Sequence, residues 1–70
     1  MADNIISDST YNLLAILLSK LEGLEAYDTY LDDMEGEGRQ LIEQIRREDE
    51  RHAQMLRDAL EKMIQKNGLK

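Results

Sequence analysis

Leu14, Leu17, Leu21, Leu24 and Leu31 recur at spacings of 3, 4, 3 and 7, a heptad pattern that predicts an amphipathic helix over about residues 10–34. Asp28 fills the one gap in this seam, and Tyr27, Tyr30 and Met34 widen the apolar face toward its carboxyl end. Tyrosines so placed are expected to be core residues with a wet hydroxyl. Ser7, Asp8 and Ser9 precede the pattern, and each is suited to capping a helix start. Glu35-Gly36-Glu37-Gly38 then breaks it, because two glycines admit positive φ and cost backbone entropy inside a helix, so the turn is expected at 35–38. A second pattern follows over about 39–66: Leu41, Ile45, Glu48, His52, Met55, Ala59 and Lys62 or Met63, widened by Leu56 and Leu60. It ends at Asn67-Gly68, with Lys62 and Lys66 complementing the negative end of the helix dipole.

Two rods of roughly 25 residues, on the order of 38 Å each, joined by a short turn form an antiparallel hairpin. Such a hairpin leaves half of each wide apolar stripe in water. The expected fold is therefore all-α: a single domain over 1–70, an antiparallel two-helix hairpin that dimerises into a four-helix bundle.

Composition sharpens this picture. A 70-residue chain rarely holds a core alone without a staple, and the absence of cysteine removes disulfides, thiolate metal sites and cysteine nucleophiles together. A metal or a partner chain is what remains. Nine Lys and Arg against 15 Asp and Glu give a net charge of −6, which repels a phosphate backbone, so nucleic acid is not an expected partner. The longest apolar run, Leu13–Leu18, is far short of a membrane span, and Asp3 stands where a signal peptide carries positive charge. A cytoplasmic protein is expected. Residues 1–37 carry nine acids and one base, Lys20, whereas 38–70 carry six acids and eight bases, so the halves attract within a chain or between copies.

The candidate chemistry lies in the second seam. Glu48 and Asp49 stand four and three positions before His52, the single histidine, so both carboxylates flank the imidazole on one helix face. Antiparallel pairing sets Glu48 across from Glu25, and His52 across from Leu21. Ionisable groups among leucines are costly unless neutralised. Two copies would supply two imidazoles and at least four carboxylates at one level, the inventory of a dinuclear carboxylate-bridged site for iron, with manganese or zinc as alternatives. Arg46, Arg47 and Arg51 offer neutralisation without metal. Gly23, in mid-helix, is open to two readings, a close approach of helices or tolerated drift.

The segments Leu21–Tyr30 and Glu48–Leu56 resemble the two halves of a ferritin-like or rubrerythrin-like hairpin, and the chain length is similar to that of the encapsulated ferritins. The resemblance covers about residues 10–66. It implies a four-helix site completed by dimerisation, two iron ions and oxidation of Fe(II), a ferroxidase-like activity. His52 falls on the family histidine. Asp49 stands where the family has Glu, and Gly23 stands seven residues before Tyr30 where the family has its first-helix Glu, so Glu22 or Glu25 is expected to substitute. The implied ligands are His52 and Asp49, with Glu25 bridging or terminal and Glu48 a ligand or the acceptor that orients the imidazole. Residues 67–70 carry no address tag of the kind shell-cargo ferritins use, so a protein-shell partner has no sequence signal. The alternative reading is a non-enzymatic interaction hairpin whose polar layer sets dimer register.

Overall fold

The computed structural model describes residues 5–68 and is all-helical, with α1 at Asp8–Leu31 and α2 at Gly36–Asn67 packed antiparallel. Ser7 is the residue that caps α1. Its backbone is extended, and its Oγ accepts the Thr10 N–H at 3.2 Å while donating to Thr10 Oγ1 at 2.9 Å. That exchange lets Thr10 sit fully buried with its hydroxyl satisfied. At the other end Gly68, at φ +67°, donates its N–H to the Ile64 carbonyl at 2.8 Å, the left-handed stop that Asn67-Gly68 predicts.

The turn falls at 32–35 rather than 35–38, and both glycines belong to the first turn of α2. Asp32 and Asp33 account for the earlier stop: they are weak helix formers and set negative charge on the negative end of the dipole. Two tightened bonds close α1, from Asp33 N–H to the Tyr30 carbonyl (3.1 Å) and from Met34 N–H to the Leu31 carbonyl (3.2 Å). Arg39, in the first turn of α2, reaches back and donates Nη1 to the carbonyls of Leu31 and Met34. Gly36 enters α2 at φ +67°, the one place in the turn where the chain requires a glycine.

The expected α2 seam is rotated by one position, whereas in α1 Leu17, Leu24 and Leu31 keep their places and Leu13 and Lys20 take those expected of Leu14 and Leu21. The inter-helix lines are Thr10, Leu13, Leu17, Lys20, Leu24, Tyr27 and Leu31 in α1 and Ile42, Arg46, Asp49, Ala53, Leu56, Leu60 and Met63 in α2, with Gly23, Ala26, Glu43, Ile45 and His52 half-buried beside them. Both follow strict alternation of 3 and 4. The sequence pattern favours Leu14, Leu21, Leu41 and Met55 because they are apolar, yet these remain 40, 48, 56 and 57 % exposed. Each helix thus carries two apolar stripes, of which one hairpin covers one. Lys20, Arg39 and Arg46 take seam positions by laying their aliphatic stems along it.

The molecule measures 49 × 21 × 12 Å, so it is one helix diameter thick. Among the described residues, Leu31, Ala53 and Leu60 are the buried apolar side chains. No described helix is long and apolar enough to cross a membrane.

Candidate functional site

Asp49 is the centre of the polar layer. Helical periodicity brings it into the inter-helix seam midway between Lys20 and Tyr27, which lie one heptad apart on α1. Lys20 Nζ is 3.1 Å from Asp49 Oδ1, and the Tyr27 hydroxyl donates to Asp49 Oδ2 at 2.8 Å. His52 Nδ1, one turn along α2, stands 3.5 Å from Oδ1. Both carboxylate oxygens are therefore engaged from the facing helix. The phenol, then the ammonium, hold the Asp49 carboxyl below its ordinary range against the opposing effect of desolvation. Reciprocally, the bond to Asp49 pushes the Tyr27 phenol above its ordinary value, helped by desolvation and by the adjacent negative charge.

These shifts move both groups away from neutral pH. A general acid or base works best with its pKa near the working pH, so a phenol made less acidic and a carboxylate made less basic suit holding a proton in place rather than passing it on.

The four expected ligands are not gathered together within one chain. Asp49 and His52 are adjacent. Glu48 lies on the exposed stripe with His52, close to the Gln44 amide at 3.4 Å. Glu25 stands at the expected height but one turn beyond Leu21, on the stripe that borders Glu50, Gln54 and Arg57 on the opposite face. Among the described residues, no group of three or more His, Asp and Glu side chains is disposed to hold a metal ion.

Lys20 is the participant that sequence reading passed over. It is the sole base of residues 1–37 and stands three positions after Leu17 and four before Leu24, a seam spacing that was legible but obscured by the neighbouring leucines. Outside the layer, Arg46 joins the helices through Asp28 at 3.0 Å and pairs along α2 with Glu50 at 3.0 Å; the bond to Asp28 is the main cause of its raised pKa.

Beside the layer lies a groove of about 420 Å³ lined by Ala15, Ile16, Ser19, Lys20, Gly23, Tyr27 and Asp49. Gly23 is not pressed against α2, since a Cβ built there meets nothing within 4 Å. A second groove, about 380 Å³, runs between His52, Met55, Leu56 and Ala59 on α2. No family model, no curated protein and no solved structure matches the chain.

Proposed function

We propose that this chain is a self-associating helical interaction module in which the Lys20–Asp49–Tyr27 layer fixes the pairing of the two helices. The observation that carries the reading is the thickness of the molecule. At 12 Å it has a single layer, whereas a stable helical domain buries its apolar stripes between two. Leu18, Leu41 and Met55 are each more than half exposed on a chain that has only three buried apolar residues among those described. A partner removes that surface from water at roughly 25 cal/mol per Å² of apolar area. The polar layer suits register because its charge is already balanced: Lys20 supplies the cation that a carboxylate among leucines requires. Light scattering across a wide concentration range tests this. The expected species is a dimer or a larger assembly, and a monomer at every concentration with full helicity overturns the reading.

A second reading is favoured by one specific placement. Glu48 and His52 share the uncovered stripe of α2, with Asp49 3.5 Å from the imidazole, so an assembly through that stripe collects imidazoles and carboxylates from two chains. In that reading the module is a ferritin-like iron-binding protein of the cytoplasm, with manganese or zinc as alternatives and Fe(II) oxidation as its activity. Anaerobic Fe(II) titration decides it: uptake of about two iron per dimer that is lost in His52→Ala supports the metal reading. Absence of uptake, with no rise in melting temperature at saturating Fe(II), Mn(II) or Zn(II), ends it.

A further inference from the structure

The second stripe of α2, exposed at Leu41, Glu48, Met55 and Ala59 and half-buried at Ile45 and His52, is symmetric about its own midpoint. Leu41 and Ala59 lie nine positions either side of residue 50, Ile45 and Met55 five, and Glu48 and His52 two. A second α2 laid antiparallel with a two-fold axis at that level sets Leu41 on the partner's Ala59, Ile45 on the partner's Met55, and the Glu48 carboxylate on the partner's His52 imidazole. Toward the ends, Glu37 comes within one position of the partner's Lys62. Apolar groups meet apolar groups, and acid meets base.

The facing helix obeys the same symmetry on separate evidence. Asp49 lies midway between Lys20 and Tyr27, level with Gly23 and Leu24, which in an antiparallel pair puts residue 50 level with Glu22 and Gly23. Ile16 and Tyr30 stand seven positions either side of Gly23 and are 48 and 59 % exposed. The axis that passes residue 50 on α2 therefore sets Ile16 on the partner's Tyr30 and Gly23 on the partner's Gly23. The hairpin itself makes no use of the missing Gly23 side chain, as nothing lies within 4 Å of the position it would fill. A close approach of a second backbone does use it.

We infer that two hairpins pack face to face through this surface, about a two-fold axis running past Gly23 and the level of Glu50, with α1 against α1 and α2 against α2. The inference rests on the self-association proposed above and names its geometry. The broad face, 49 by 21 Å, gives a footprint on the order of 1,000 Å², against about 800 Å² per partner in a stable interface of standard size. The opposite face is less suited to a copy of itself. Its apolar stripe, Tyr11, Leu14, Leu18 and Leu21, runs on into Glu25 and Asp28 and is flanked on α2 by Glu50, Gln54 and Arg57.

The absence of native cysteine makes the test direct. Gly23→Cys is expected to form a disulfide-linked dimer on mild oxidation, while Glu22→Cys, on the outer side of α1, and Leu18→Cys, on the opposite face, yield only collisional background. A charge exchange checks the register. Ile45→Glu alone and Met55→Lys alone each dissociate the assembly, and the two together on one chain restore it, because position 45 meets the partner's position 55. Light scattering of the unmodified chain separates the two levels of failure. A monomer overturns self-association itself; an assembly that cross-links through Leu18→Cys and not Gly23→Cys, or that the double exchange fails to restore, overturns this geometry alone.

Discussion

The Tyr27 hydroxyl lies 2.8 Å from Asp49 Oδ2, joining helices across 22 positions of sequence, and it donates the bond that contributes most to holding the Asp49 carboxyl ionised. Tyr27→Phe keeps the ring in the seam and removes only the donor. The Asp49 pKa is expected to climb back toward its ordinary value while the helical content stays unchanged. A carboxyl titration followed by NMR on the wild type and the variant measures this, and an unmoved Asp49 pKa contradicts the assignment.

The same pair sets a pH window. Asp49 titrates lower in the folded chain than in the unfolded one, so its contribution to stability is present above its ordinary value of 3.8 and is lost as pH falls through the depressed folded value. Tyr27 titrates higher when folded, so its contribution is complete below its ordinary value of 10.0 and is lost as pH rises through the raised one. Thermal melting of the wild type should fall at both extremes. Asp49→Asn is expected to flatten the acid limb and Tyr27→Phe the alkaline one, and limbs unchanged by either substitution contradict the linkage.

Gly36 and Gly38 stand two residues apart and should respond with opposite signs. Gly36 has φ +67°, where a Cβ costs about 1–2 kcal/mol, so Gly36→Ala destabilises. Gly38 is helical, and a Cβ there meets only the Met34 methyl at 3.5 Å, so Gly38→Ala is expected to stabilise by about 0.5–1 kcal/mol. Urea denaturation of both variants at one protein concentration checks the contrast.

Leu60 is 4 % exposed and Met55 is 57 % exposed, a difference that ordinary helical patterning does not reveal. Leu60→Ala should cost about 2–5 kcal/mol through lost burial and the cavity left behind. Met55→Ala should leave the hairpin itself within about 0.5 kcal/mol and instead weaken self-association. Denaturation at low and high protein concentration separates them, since only the Met55 effect grows with concentration.

Two helices, their antiparallel pairing and the height at which Asp49 meets α1 were all legible in the spacing of the leucines and in the shortness of the break between them. The rotation of each helix about its axis was not. Apolar periodicity identifies a face only when there is one, and here Leu14 and Leu21 compete with Leu13 and the stem of Lys20 for the same role. The contest is settled by which stripe lets Asp49 find a cation and a phenol at once, a pairwise condition between distant positions. For the same reason the spacing that sets Glu25 across from Glu48 does not say which side of the hairpin its stripe follows, and that stripe continues from Leu21. The turn was displaced because glycine marks where a backbone is free, whereas Asp32-Asp33 mark where a dipole is opposed.

Arg39 lends its guanidinium to carbonyls at the end of the helix that precedes it. The first rod is thus finished by a residue that belongs to the second, only eight positions from Leu31. Assembly of the pair should begin at this knuckle and zip outward, leaving the Ser7 and Gly68 ends to close last, and a chain severed between Asp33 and Arg39 should be slow to rejoin even with every other contact intact.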